Sequence, residues 1–332
     1  RCCKVTGVQT CALPISILGQ SQNGNVSMRC LIIHNPASGP SSDEIFAFTH
    51  ALAQGGDEVV MRFIGDGMEP EDAVADVREF DRVVVSGGDG TVSNVLDQMR
   101  GCGVPTLVFP SGTACLFFNN IGNAPEAAAL AKACRAGRTV KVDMGELFWL
   151  DENGNEKRHG FIIIAGSGFD AEIMMKAAPT KNDIGEIAYF LSALATPNPT
   201  VAHFTIEHDG IVEELDGICC MAGNTSVIQN DINLFPDCRM NDGMVDIAVI
   251  EPVKTVQLLP TVITAALDPA GKVLGRPQFK IIQTKEAKIT CTPSLGMQFD
   301  GEIISSNSGV FGARALPQCL DLIVDEFSPL GK

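Results

Sequence analysis

The stretch Arg82-Val-Val-Val-Ser-Gly-Gly-Asp-Gly-Thr91 ends an apolar run in three glycines and an acid, then opens a helical pattern. The chemistry of that residue set is phosphate binding. Glycines let main-chain N–H groups approach an anion closely, and a helix N-terminus adds positive potential. Thr91 is placed to cap the helix, and Asp89 to reach a Mg²⁺ held by the same phosphates. No Gly-Lys-Ser/Thr follows, so this is not a Walker loop, and the spacing is not the GxGxxG of dinucleotide folds. Asn35-Pro36-Ala37-Ser38-Gly39 follows the first strand, and Pro110-Ser111-Gly112-Thr113 follows the fourth. All three loops leave the C-terminal ends of strands, where open α/β sheets bind ligands, and together they form a nucleotide-phosphate cradle. Two acidic turns come late in the chain. Asp300-Gly301-Glu302 follows the apolar Met297–Phe299 and can present two carboxylates at a strand end. Residue type alone favours a solvated hairpin tip there, and a plain turn at Asn241-Asp242-Gly243.

The elements that must carry these loops are legible from periodicity. Short apolar strands at Leu31–His34, Glu58–Ile64, Arg82–Val85 and Thr106–Phe109 alternate with helices at Asp43–Gln54, Glu69–Phe80 and Thr91–Arg100. That alternation predicts a parallel sheet covered on both faces. After about Thr139 strand-like runs follow one another: Val140–Leu150, Arg158–Ala165, Val201–His208, Ile211–Met221, Met244–Ile250, Phe279–Cys291 and Gly296–Ile303. Asp-Glu-Asn-Gly at 151–154 and Asp209-Gly210 are hairpin signals. Helical interludes fall at about Ala171–Ala178 and Asn182–Leu194, the former containing Met174 and Met175; a core stripe is the default for them, and a lipid-accepting lip the minority alternative. The expected fold class is α/β plus all-β, with the active cleft between the two parts.

Composition narrows the function. In 332 residues, 24 Lys and Arg face 40 Asp and Glu, for a net charge of −16. That argues against a nucleic-acid partner, which needs a basic footprint, and against tight adsorption to an anionic membrane. No apolar run approaches the roughly 18 residues of a spanning helix. Residues 1–27 contain Arg1 and Lys4, no acid, and Cys2, Cys3 and Cys11. They resemble translated sequencing adapter, and the expected native start is Met28. Nine cysteines then remain with no CxxC pair, the pattern of reduced core thiols in a cytoplasmic protein. A dimer is the default oligomeric expectation.

Six segments in order carry a resemblance to the diacylglycerol kinase catalytic-domain family, the bacterial soluble lipid kinases related to sphingosine and ceramide kinases. They are NPASG at 35–39, GGDGT at 87–91, SGT at 111–113, GSGFDA at 166–171, NDGMVD at 241–246 and DGE at 300–302. The resemblance implies a Rossmann-like, NAD-kinase/phosphofructokinase-like domain at 28–138, a β-sandwich at 139–305, and a segment at 306–332 that returns to the first domain. It implies ATP binding by Asn35, Pro36, Ala37, Ser38 and Gly39, by Gly87, Gly88, Asp89, Gly90, Thr91, Val92 and Ser93, and by Gly112 and Thr113. It implies that Asp300 or Glu302 deprotonates a lipid hydroxyl, and that Asp242 holds a structural Mg²⁺ with the carbonyls of Arg239 and Met244. The activity implied is an ATP- and Mg²⁺-dependent kinase acting on a membrane lipid such as diacylglycerol, by transient contact at the cytoplasmic face. Two features depart from the family: Cys115 and Asn119 replace a usual Asn and Arg after the third loop, and Gln229-Asn-Asp-Ile232 replaces a glycine-rich run. They leave open a metabolite kinase of the NAD-kinase type, which shares GGDGT, or a nucleotide-binding relative without turnover.

Overall fold

The computed structural model describes residues 15–17, 27–39, 43–65, 67–168, 171, 198–229, 232–252, 254, 264, 267–268, 270–304, 306 and 308–331. The chain runs β1 (Ile15–Ile17), β2 (Arg29–His34), α1 (Glu44–Gln54), β3 (Glu58–Phe63), α2 (Pro70–Ala73), β4 (Arg82–Gly87), α3 (Asp89–Gln98), β5 (Thr106–Pro110), α4 (Leu116–Ile121) and α5 (Ala127–Ala136). It continues through β6 (Thr139–Leu150), β7 (Glu156–Phe161), β8 (Ile164–Gly168), β9 (Ala202–His208), β10 (Ile211–Gly217), β11 (Cys219–Gly223), β12 (Val227–Gln229) and β13 (Ile232–Asn233). The last strands are β14 (Val245–Ile250), β15 (Phe279–Thr284), β16 (Glu286–Thr292), β17 (Met297–Phe299), β18 (Glu302–Ile304) and β19 (Val310–Ile323). The helical interludes expected at 171–178 and 182–194 lie outside the described residues, apart from the buried Ala171.

Strands β3, β2, β4 and β5 pair in parallel. Cys30, Leu31, Ile32 and Ile33 have no exposed surface, because helices cover both faces and every one of these side chains lands in a core. Ile15–Ile17 adds an antiparallel edge to β3; a strand ladder uses main-chain groups and asks little of side chains. On the other side, the long β19 joins the two parts. Its Leu322 pairs in parallel with Thr106 of β5, while its earlier residues pair antiparallel with β6 and β16. The sheet order is β1-β3-β2-β4-β5-β19-β16-β9-β10, with β6 and β7 branching from β19.

A second antiparallel sheet, β15-β14-β11-β8-β17-β18, packs on this one. Phe204, Ile206, Ile289 and Phe311 of the first sheet meet Val245, Ile247, Val249 and Met297 of the second in one buried cluster. Strand β9 alternates buried and exposed residues, as a half-covered strand must, whereas every residue of β14 is buried. Phe235, Leu234 and Cys238 close the outer face of β11 and β14. The fold is a mixed α/β sheet domain joined to a second antiparallel sheet.

The Gly296–Ile303 run folds back as the β17–β18 hairpin, and four further runs break where they were expected to continue. The 69–80 helix is only α2 and a 3₁₀ turn at Val77–Glu79. Arg62 donates to the Ala73 carbonyl at 2.7 Å and grips Asp76 at 2.6 and 2.7 Å, so a side chain takes a carbonyl that a longer helix would use. The 211–221 strand divides at Ile218, whose N–H donates to the Ile250 carbonyl, and its second half changes sheet. The 279–291 run divides at Lys285 into strands of different sheets. The break of 158–165 at Ile162–Ile163 belongs to the site. The nine cysteines from Cys30 to Cys319 are free thiols.

Candidate active site

The three glycine loops meet at one edge of the parallel sheet. Asn35 donates from Nδ2 to Thr91 Oγ1 at 2.8 Å, and its own Oδ1 accepts the Ala37 N–H at 3.0 Å, so one side chain shapes the first loop and ties it to the second. A Cβ on Gly39 would lie 3.3 Å from the Ser111 carbonyl, and one on Gly112 would lie 2.5 Å from Gly88 Cα. Main chains pack against each other at Gly112 with no room for a side chain, and closely at Gly39. Beneath the loops runs a buried polar chain: His34 Nδ1 to Ser86 Oγ at 2.9 Å, and Ser86 Oγ to Ser111 Oγ at 2.7 Å. Burial lowers the His34 pKa, which favours the neutral ring.

This edge is short of partners. Helix α3 begins after Gly88 with no side-chain cap, so its first-turn N–H groups have no partner within the helix. Thr91, expected as the cap, instead lies in the first turn, its hydroxyl engaged by Asn35 and packed on Gly87. Ser38 Oγ is buried with no hydrogen-bond partner among the described residues, and Thr113 is exposed in the third loop. Pro36 and Ala37 are exposed on the same loop as Ser38, while Val92 is buried in α3 as a core residue and contributes packing only.

Asp89 does not point freely from the loop. Its Oδ2 accepts from the Leu116 N–H at 3.0 Å and its Oδ1 from the Phe117 N–H at 2.9 Å, capping α4. Burial raises its pKa against those two bonds. One lone pair on each oxygen remains for a cation. Cys115 sits in the left-handed region at φ 48° and closes the third loop, accepting the Gly112 N–H at 3.2 Å. Asn119 is exposed and bonds back to the Ala114 carbonyl.

The second sheet delivers the acid pair to the same place. Ser93 Oγ donates to Asp300 Oδ2 at 2.5 Å, and Asn94 Nδ2 donates to Glu302 Oε1 at 2.7 Å. A Cβ on Gly90 would be 3.7 Å from Glu302 Oε1. The 300–302 turn therefore faces the first turns of α3 and is not a free hairpin tip. Asp300 also accepts the N–H groups of Ile162, Ile163 and Ile164 at 2.7, 2.9 and 3.0 Å. Asn224 donates from Nδ2 to the Ile162 carbonyl at 3.1 Å, and from its main-chain N–H to the Ile163 carbonyl at 2.9 Å. These contacts satisfy the groups a continuous strand would pair, and the chain crosses between sheets here. Burial raises Asp300 to about 6 despite its four donors. His159 stacks on Phe299 with ring centroids 4.1 Å apart, packing the strand that leads into the turn.

Asp242 is elsewhere. Its Oδ1 accepts the Met244 N–H at 3.0 Å, and burial together with the neighbouring Asp143 raises its pKa. Asp143, almost wholly buried, accepts from the Gly243 N–H at 2.6 Å and the Gln318 N–H at 2.7 Å, so it ties this turn to β6 and β19. Pockets of about 450 and 340 Å³ flank the turn; Asp242 lines the first and Arg239 the second. Among the described residues no three His, Cys, Asp or Glu side chains are grouped to hold a metal.

Sequence reasoning passed over Asn94, Asn35's partner role, Asp143 and Asn224. Asn94 was the findable one, since it directly follows Ser93 on a helix whose start was already assigned to phosphate.

Comparison with known proteins agrees with this geometry. Residues 29–147 match the diacylglycerol kinase catalytic domain, and residues 163–324 match the YegS C-terminal NAD kinase beta sandwich-like domain. A diacylglycerol kinase of Mycobacterium tuberculosis (strain CDC 1551 / Oshkosh) is 28% identical over 243 residues, covering 69% of this chain and 73% of that protein. One from Bacillus subtilis (strain 168) is 27% identical over 294 residues, covering 82% and 89%. The crystal structure of a diacylglycerol kinase from Bacillus anthracis str. Sterne superposes with a TM-score of 0.67 at 21% identity, covering 90% of this chain and 98% of that one.

Proposed function

The chain belongs to the diacylglycerol kinase catalytic-domain family, and from that premise we propose that it transfers the γ-phosphate of ATP to a hydroxyl of a membrane lipid such as diacylglycerol. The observation that carries this reading is the pair of bonds from Ser93 and Asn94 to Asp300 and Glu302, which join the helix after the phosphate loop to the acid pair. Phosphoryl transfer asks for positioning, charge neutralisation and a carboxylate near the nucleophile. Each has a counterpart in this chain.

The residues fit a nucleotide. The Ser38 hydroxyl, without a partner among the described residues, the start of α3, which no Gly88 side chain caps, and the side-chain-free contact of Gly88 with Gly112 supply donors and space for phosphate oxygens. Mg²⁺, when bound, neutralises the charge of the phosphates. Asp89, among the residues present, would hold it through its remaining lone pairs while its other pairs keep α4 in place. Asp242, with the carbonyls of Arg239 and Met244, would hold a second, structural Mg²⁺, and its crowding against Asp143 supports a cation there. Asp300 and Glu302 supply the acid pair that receives the proton of the acceptor hydroxyl. Domain limits at 28–138, 139–305 and 306–332, a cytoplasmic location and transient lipid contact through apolar surface complete the proposal. Among the described residues no helix is long and apolar enough to cross a membrane.

The test uses labelled ATP, Mg²⁺ and mixed micelles of bacterial lipids, with the organic extract counted. Label in a lipid, lost in the Asp300→Asn/Glu302→Gln double variant, supports the lipid kinase. Transfer stimulated by NAD and by no lipid overturns it in favour of a metabolite kinase. ATP binding without transfer to any acceptor overturns it in favour of a regulatory relative.

A further inference from the structure

Val273 and Leu267 are the two most exposed large apolar side chains among the described residues, at 84% and 73%, and Leu274 is 47% exposed. All three belong to one loop, Leu267-Asp-Pro-Ala-Gly-Lys-Val-Leu-Gly-Arg276, which leads into β15. A lone exposed apolar residue needs no explanation, whereas a group of them on a braced loop does. Asp268 Oδ2 accepts the N–H groups of Val273 and Leu274, both at 2.8 Å, so one carboxylate draws the three apolar residues together. The Asp268 carbonyl accepts the Gly271 N–H and Arg276 Nη2, each at 2.9 Å. Arg276 also donates from Nη1 to the Gly275 carbonyl at 2.8 Å and from Nε to the Asn233 carbonyl at 2.7 Å. A Cβ on Gly271 would lie 2.5 Å from the Pro236 ring, so the loop rests directly on the 233–236 segment. Its polar groups bind one another, and its apolar side chains are left to the outside.

Charge follows the same division. Between Leu267 and Phe279 the one acid is Asp268, engaged within the loop, while Lys272 stands exposed next to Val273. A chain of net charge −16 is repelled as a whole by an anionic surface. Over a Debye length of about 8 Å, however, only the local charge counts. A line of contacts also runs from this loop to the glycine-loop edge. Asn233 pairs with Val227 across β12 and β13, Val227 exchanges bonds of 2.8 and 3.2 Å with Asn120 of α4, and Asp89 caps the other end of α4.

We propose that the 267–276 loop docks the protein on a bilayer: Leu267, Val273 and Leu274 enter the interfacial layer, and Lys272 meets the phosphates of anionic lipids. The inference rests on the lipid-kinase reading above, since an acceptor resident in a bilayer has to be reached at the bilayer surface. Apolar side chains gain by leaving water, and the lysine adds an attraction that only an anionic surface supplies. The bracing matters for the same reason. The Val273 and Leu274 N–H groups already have a carboxylate partner, so they enter the interface without being stripped of a hydrogen bond. Arg276 fastens the docked loop to Asn233, and through β12 and β13 to α4, the helix that Asp89 caps.

The experiment is cosedimentation of the full chain with vesicles of equal parts phosphatidylcholine and phosphatidylglycerol, and with vesicles of phosphatidylcholine alone. The Val273→Ser/Leu274→Ser double variant should weaken partition onto the mixed vesicles by about 10- to 100-fold. Lys272→Gln should weaken it by about fivefold on the mixed vesicles and leave the phosphatidylcholine vesicles unaffected. Val212→Ser, which changes an apolar residue 60% exposed on β10, should leave partition as it is. Melting temperature and ATP affinity should match the wild type in all three. Transfer to diacylglycerol held in vesicles should fall with partition, and transfer to a short-chain diacylglycerol dissolved as monomers should not. A double variant that partitions like the wild type overturns the docking surface, as does an equal loss in Val212→Ser or a wild type that binds neither vesicle. A dimer in sedimentation that the double variant abolishes, without vesicle binding, overturns it in favour of a second copy of the chain. Vesicle binding that depends on the loop, with no transfer to any hydroxyl, fails the kinase reading and leaves the docking surface standing. Transfer to lipid with binding indifferent to the loop does the reverse.

Discussion

The glycine-loop edge and the 300–302 turn face each other, yet they are built on opposite rules. The loop edge leaves groups unsatisfied: an uncapped helix, a buried hydroxyl with no partner among the described residues, main chains touching where side chains would stand. The turn does the reverse at Asp300, where four donors converge on one carboxylate. A surface that must accept a charged ligand keeps its donors free, whereas a part that must hold that ligand's target saturates its own. The two rules meet at Gly90 and Glu302.

The sharpest way to break that comparison is to put a methyl group into the loop edge. Gly112→Ala places Cβ 2.5 Å from Gly88 Cα, so main chain must move. Gly90→Ala meets only Glu302 Oε1 at 3.7 Å, an ordinary contact on a helical residue. Gly112→Ala should weaken ATP binding by about 100-fold and destabilise by roughly 1–3 kcal/mol. Gly90→Ala should fold with a gain of about 0.5–1 kcal/mol. Calorimetric binding and urea unfolding decide; equal effects at the two glycines would mean the loops are not in contact.

Next in size is the turn. Asp300→Asn presents an NH₂ donor to main-chain donors, leaving at least one buried N–H unpaired and losing the charge-assisted bond of Ser93. About 2–4 kcal/mol of stability should go, read as a lower urea midpoint. The pH dependence carries a sign. Asp300 stands at about 6 in the folded protein against an ordinary 3.8, so the folded state binds this proton more tightly. Its stabilising contribution is present in full below the lower value and is lost as pH rises through the upper one, with a slope of at most about 1.4 kcal/mol per pH unit. The stability of the wild type minus that of Asp300→Asn should therefore fall between about pH 4 and about 6.5. A flat or rising difference would remove burial as the dominant influence on this carboxyl.

The two regions also differed in how far they could be foreseen. Loop positions follow from local sequence: Cys30–Ile33 is apolar throughout, ends at a strand terminus and meets Asn35–Gly39, so β2 and its loop need no distant information. The break at Ile162–Ile163 could not be seen that way. The apolar run is unbroken through Phe161, Ile162, Ile163 and Ile164, and what interrupts it is Asp300, 136 to 138 residues away in sequence. Arg62 stops the 69–80 helix by the same kind of contact across 11 residues. Asp89 was expected at the glycine-loop edge from local sequence, but its hold on α4 depends on where Leu116 and Phe117 return. The acid pair was legible as residues and not as a division of labour, because only the fold decides which carboxylate is enclosed.

The smallest expected effect tests the loop edge most directly. Ser38 Oγ is buried without a partner among the described residues, so the folded protein already bears the desolvation of a hydroxyl that ordinarily would be hydrogen-bonded. Ser38→Ala removes that oxygen and creates no orphaned partner, so stability without nucleotide should be unchanged or rise by a few tenths of a kcal/mol. With nucleotide present the sign reverses. A hydroxyl aimed at a phosphate oxygen contributes about 0.5–1.5 kcal/mol, hence a roughly two- to tenfold loss of ATP affinity on substitution. Unfolding midpoints with and without ATP give both numbers in one series. A variant less stable in both states would make Ser38 part of the scaffold, like Asp300. One more stable alone and less stabilised by ATP would place it among the groups left free for the ligand.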